Sequence, residues 1–210
     1  MTGDTHDRSG LVATARRAYG ASLKLGISKG IDRSRAVQKM AEALKQSFDD
    51  ILEANTLDLE ASREMAVPAS IVDWLKLTPE RLQSTVEILQ RLGELSDPLR
   101  RVRHADYQLA DSQTYCQLMP LGTIALVYEA FPELGAIAAG LCIKTGNSLI
   151  LKGGGEASNS NTAITQVLQI ALEESGMPSG CLERIETEEG NLTQELITQD
   201  QYINLVIPYG

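Results

Sequence analysis

The densest apolar patterning lies between Leu118 and Thr162. Ile124 to Tyr128 and Leu149 to Leu151 are short apolar runs bounded by Gly and Pro, the texture of parallel strands buried on both faces. Between them Leu134 to Ile143 is Ala-rich and long enough for a crossover helix, so the spacing predicts one βαβ unit. A glycine turn, Lys152-Gly153-Gly154-Gly155, follows the second strand, and Ile164, Val167, Leu168 and Ala171 predict a helix that stops at Gly176 before Pro178. Leu182 to Ile185 is a third candidate strand, Leu192 to Thr198 a helix, and Ile203 to Ile207 a fourth strand.

Upstream the period changes from two to that of a helix. Leu11, Val12, Ala15, Ala18 and Tyr19 begin a helical pattern after a polar, frayed first ten residues, and Gly26 to Gly30 interrupt it before Asp32 or Ser34 caps the next. Val37, Met40, Ala41, Leu44, Phe48, Ile51 and Leu52 form one apolar stripe on that second helix, with Lys39, Glu42, Lys45 and Asp49 outside it. Leu57 to Met65 and Pro68 to Leu77 predict two shorter helices. Thr78-Pro79-Glu80 then reads as an N-cap, a first-turn proline and a dipole-favourable acid, with Gly93 as the stop. After Asp97-Pro98 comes the one basic cluster, Arg100, Arg101, Arg103 and His104, read as a solvated face ahead of an anion site, and Val102 to Met119 alternates like a hairpin or two-stranded arm. The organisation is therefore α/β: a helical region over 1–99, an arm over 100–119 and an α/β domain over 120–210.

Composition narrows the partners. A net charge of −9 and an isoelectric point near 4.8 argue against nucleic acid or an anionic membrane surface. The longest apolar run is half of what a membrane span needs, and the N-terminal residues lack a signal core, which predicts a cytoplasmic protein. Cys116, Cys142 and Cys181 are widely spaced without a Cys-x-x-Cys pair, so neither a disulfide framework nor a zinc site is indicated. With only His6 and His104, no Ser-His or Cys-His machinery is visible. The candidate chemistry is the glycine turn, whose N–H groups and following helix offer a phosphate or nucleotide site; it is neither a Walker loop nor Gly-x-Gly-x-x-Gly, and a plain tight turn is the equal alternative.

Asn55-x-x-Asp58, Leu77-Thr78-Pro79-Glu80-Arg81-Leu82, Asp97-Pro98, Pro120-Leu121-Gly122-x-Ile124, Tyr128-Glu129-Ala130, Lys144-Thr145-Gly146-Asn147-Ser148-Leu149-Ile150-Leu151-Lys152-Gly153-Gly154, Ser160-Asn161 and Asn204-Leu205-Val206-Ile207-Pro208 together resemble γ-glutamyl phosphate reductase (glutamate-5-semialdehyde dehydrogenase), a proline-biosynthetic branch of the aldehyde dehydrogenase superfamily. The resemblance runs over nearly all of the chain and about the first half of the family's length. It implies a truncated aldehyde-dehydrogenase-like Rossmann domain with a helical N-terminal region and a β-hairpin arm used in oligomer contacts. Lys152, with Gly153 and Gly154, would meet the adenosine side of NADPH.

The departures from the family pattern are as informative. The family's catalytic cysteine belongs to the half not matched, and none of the three cysteines here stands in its place, so no catalytic residue is assigned. The resemblance further implies an Arg and an Asn on the substrate side where this chain has Phe131 and Glu133, and a basic residue where it has Tyr209. A ring without a donor replaces an anion-holding fork, and a carboxylate replaces an amide. The principal expectation is a catalytically inactive homologue acting as a protein-binding, regulatory or assembly module, which meets a protein partner or its own copies through an exposed apolar surface, with NADPH binding absent or weak. The alternative is one half of an NADPH-dependent glutamate-5-semialdehyde dehydrogenase.

Overall fold

The computed structural model describes residues 4–104, 115–186 and 192–209. Its centre is a parallel sheet of β3 (Thr123–Tyr128), β4 (Ser148–Lys152), β5 (Leu182–Arg184) and β6 (Leu205–Tyr209) in the order β5-β4-β3-β6. Alternate residues of the inner strands enter different cores. Ile124, Leu126, Tyr128, Leu149 and Leu151 face one cluster, Ala125 and Ile150 the other, which is why these runs read as continuously apolar.

On the first face lie α6 (Pro132–Lys144) and α7 (Ser158–Glu174), with α2 (Gly30–Gln46), α3 (Phe48–Glu64) and α5 (Pro79–Glu94) packed outside them. The second face is covered by α1 (Asp4–Gly26) through Leu11, Ala15 and Ala18, and by α8 (Leu192–Ile197) through Leu196. The expected helical region thus splits, one helix on one side of the sheet and the rest on the other. The short α4 (Ala69–Leu75) leads into α5, and β1 (Val102–His104) pairs antiparallel with β2 (Tyr115–Gln117) as the base of the arm. The tip of the arm, 105–114, lies outside the described residues.

Four local expectations are corrected. Helix α1 extends back to Asp4, into the stretch expected to be frayed. Lys29, not Asp32 or Ser34, is the N-cap of α2, without a side-chain cap. The long apolar stripe breaks at Ser47, which ends α2 and begins α3, so Phe48 and Ile51 start a new helix that absorbs Leu57 to Glu64. The stripe persists across the break because both helices pack on the same core, and periodicity alone does not see the turn. Gly93 does not end α5 but lies inside it: a Cβ there would come within 2.6 Å of Gln38 Cγ, so the glycine serves close approach of α5 to α2. The Thr78 cap is as expected, its side chain accepting from Arg81 N, with Pro79 in the first turn.

The root of the arm is tied to the helices by a buried cation. Arg33, 1% exposed, donates to Asp97 at 2.8 Å, to the Lys144 carbonyl at 3.3 Å and to Ser28. Replacing Arg33 with Met should cost about 3 kcal/mol, because it removes the cation paired with the Asp97 carboxylate and the donor to two carbonyls; urea unfolding of the two proteins measures it.

Candidate functional site

Strands β3, β4 and β5 progress in one direction, and β6 returns to the far side of β3. The sheet therefore has a topological switch point at the C-terminal ends of β3 and β6, the place where open α/β sheets leave a crevice for a ligand. The candidate cofactor and substrate-side residues, Lys152, Gly153, Gly154, Phe131, Glu133 and Tyr209, lie on this C-terminal rim. Lys152 ends β4, beside Val127 of β3, and Tyr209 pairs with Tyr128. Phe131 is the N-cap of α6, and Glu133 lies in its first turn.

Phe131 and Tyr209, 78 positions apart in the chain, meet edge to face at 5.9 Å and 74°. Phe131 also stacks on Trp74 at 5.4 Å and 23°. The rings of Tyr209 and Trp74 remain about half exposed, at 52% and 48%. Glu133 is not a free charge: Arg81 donates to its Oε1 from both Nε and Nη2, and to the Trp74 and Lys76 carbonyls from Nη1. The other oxygen, Oε2, is buried without a partner among the described residues. Trp74 and Arg81 are the members of this cluster that the sequence did not reveal as such. Arg81 was visible only as part of a motif and Trp74 not at all, since neither is near Phe131 in sequence.

The glycine turn has an internal explanation. None of Gly153, Gly154 and Gly155 has positive φ. A Cβ on Gly153 would lie 2.1 Å from Asn161 Nδ2 and 3.4 Å from the Tyr128 ring, so the residue is glycine to admit these two side chains. Tyr128 donates its hydroxyl to Asn161 Oδ1 at 2.9 Å, and burial raises the Tyr128 pKa well above its usual value. The first turn of α7 already holds an anion. Asp58 of α3 accepts from Asn159 N at 3.0 Å and Ser160 N at 2.7 Å, and from Asn159 Nδ2 and the Ser160 hydroxyl at 2.9 and 2.6 Å. Asn55, one turn before, donates to Ser160 Oγ at 3.0 Å and to the Leu75 carbonyl, and accepts from Leu77 N.

A dinucleotide phosphate set on this helix end would have to displace the Asp58 carboxylate, so the turn and helix do not fit one as they stand. Lys152, half-buried and without an ion pair or side-chain hydrogen bond among the described residues, is the one cation of the turn left for an anionic group. No thiol lies on the rim. Cys142 and Cys181 are buried, which pushes both thiols up to about 12, and Cys116 is exposed on β2 of the arm. No group of His, Cys, Asp and Glu among the described residues could hold a metal ion, and no described helix is long and apolar enough to cross a membrane.

Comparison with known proteins fits this geometry. The chain is 55% identical over 202 residues to gamma-glutamyl phosphate reductase 2 of Synechocystis, a match covering 96% of this chain and 48% of that protein. It is 39% identical to gamma-glutamyl phosphate reductase of Gloeobacter violaceus over 95% of its length and 48% of the relative. The crystal structure of gamma-glutamyl phosphate reductase from Thermotoga maritima superposes with a TM-score of 0.89 at 32% identity, covering 95% of this chain and 48% of the other. The chain thus spans about half the length of the relatives it matches. The model of the aldehyde dehydrogenase family matches residues 2–210, and the chain belongs to that family.

Proposed function

We propose that these residues form a protein-docking half of a γ-glutamyl phosphate reductase-like fold that does not itself turn over substrate. The observation that carries this reading is the switch-point rim: three packed rings, a cation committed to Glu133, and no accessible thiol. Acyl transfer through a cysteine needs a thiolate facing the reacting carbonyl. Here both buried thiols are held protonated, and the exposed one sits on the arm. The docking face is the strand β6, whose Leu205, Ile207 and Tyr209 project beside Ile124, Leu126 and Tyr128 yet stay 39%, 40% and 52% exposed. Apolar side chains on a parallel edge strand ordinarily lie under a covering element. A second polypeptide segment is the occupant this face suits, and NADPH binding through Lys152, Gly153 and Gly154 is weak or absent.

A second reading is supported by the high identity to a reductase along almost the whole chain: half of a working NADPH-dependent enzyme that forms glutamate-5-semialdehyde. Mixing the purified chain with the remaining half of the Synechocystis relative separates the two. The docking reading expects a complex by gel filtration without NADPH oxidation in the presence of γ-glutamyl phosphate. Turnover by the mixture would establish the enzyme reading, and failure to associate would sink the docking role.

The thiol assignments give a further check. In the folded chain a disulfide reagent should label Cys116 rapidly, and Cys142 and Cys181 only after denaturation. Unfolded thiols release their protons near 9 while the buried ones keep theirs to about 12. The unfolded state therefore binds fewer protons in that window, and unfolding free energy should decline as pH rises from 9 to 12.

A further inference from the structure

The basic residue Arg100, just before the arm, does not face open solvent alone. It lines a groove of about 410 Å³ together with Lys29 and Arg35 from the start of α2. These cations come from separate parts of a chain whose net charge is −9. The acids in the groove wall are Glu94 and Asp97. Asp97 is already engaged, accepting from Arg33 at 2.8 Å and from Leu99 N at 3.1 Å. Asp32 lies 3.6 Å from Arg35 in an exposed pair worth little in water. The side chains of Lys29 and Arg100 have no hydrogen bond or ion pair among the described residues.

Beneath the groove is a buried ammonium with neutral company. Lys144, 3% exposed, donates to Ser34 Oγ at 2.6 Å, to the Gly93 carbonyl at 3.2 Å and to the Leu95 carbonyl, and all three of these residues line the groove. No carboxylate among the described residues lies within ion-pair distance of it. Desolvation lowers its pKa, and neighbouring Arg33 adds to that while Asp97 opposes it. Buried charges are normally matched by an opposite charge. Counting Lys29, Arg33, Arg35, Arg100 and Lys144 against Asp32, Glu94 and Asp97 leaves the region with two positive charges uncompensated.

We propose that this groove binds a phosphoryl-bearing small molecule, gripped by Lys29, Arg35 and Arg100 above the Lys144 ammonium. Two guanidinium groups suit the oxygens of a phosphoryl group, and the groove is large enough for more than a single phosphate. The site lies at the C-terminal end of α6, away from Glu133 at its start, and shares no residue with the β6 face, so it stands or falls independently of docking.

Titration calorimetry of the whole chain with inorganic pyrophosphate, at fixed ionic strength, tests the site. Saturable one-site binding is expected. The double variant Lys29→Glu/Arg100→Glu should weaken it by about tenfold or more. Lys24→Glu/Lys45→Glu, the same change of net charge at exposed positions outside the groove, should leave it within about twofold. All four positions are exposed, so both variants are expected to fold, and circular dichroism verifies it. Absence of saturable binding, or equal weakening by the second pair, overturns the proposal. Saturable binding of citrate without pyrophosphate overturns the phosphoryl assignment.

Discussion

The carboxylate of Asp58 holds the strand–turn–helix unit together. It is 2% exposed and accepts four hydrogen bonds from the first turn of α7. Two of these satisfy backbone N–H groups that a helix end cannot pair internally. Asn55 carries the same network to the segment between α4 and α5, and Asn161 carries it to Tyr128 and Gly153. Helix α3, the entry to α5, the glycine turn and the end of β3 are thereby fixed to one another through polar groups that are costly to leave unpaired. A helix start that elsewhere serves as a phosphate cradle is used here to anchor a helix from the N-terminal region.

At the switch-point rim the fold and the side chains it presents are separate matters, since a fold does not by itself fix what a site does. The fold as a whole matches that of a solved gamma-glutamyl phosphate reductase, with a TM-score of 0.89. On the rim Trp74, Phe131 and Tyr209 pack on one another, and Arg81 neutralises Glu133. Glu133 looks from sequence like a charge that repels an anionic substrate. In place it is half of an ion pair, with its second oxygen buried.

Much of this was legible in the chain, for identifiable reasons. Strands β3 and β4 and the helix between them are marked by apolar runs and punctuating glycines, signals that are local. Likewise the Thr78 cap is written in three consecutive residues. The break at Ser47 was hidden because α2 and α3 share one core face and keep one stripe. The roles of Asn55, Asp58, Ser160 and Asn161 were hidden although the motifs were noticed, because their partners lie about a hundred residues apart or across the sheet. No local pattern marks Arg33, and only the fold brings Asp97 to it. The aromatic rim needed three segments to converge, and periodicity carries no information on that.

Urea unfolding of Asp58→Ala beside the native chain tests the central role of the buried carboxylate. Removing it leaves the Asn159 and Ser160 N–H groups and the Ser160 hydroxyl without their acceptor, and a loss of about 2–3 kcal/mol is expected. It should be accompanied by faster amide exchange through the first turn of α7. Unchanged stability and unchanged exchange there would contradict the account, and would return the helix start to the status of an open anion site.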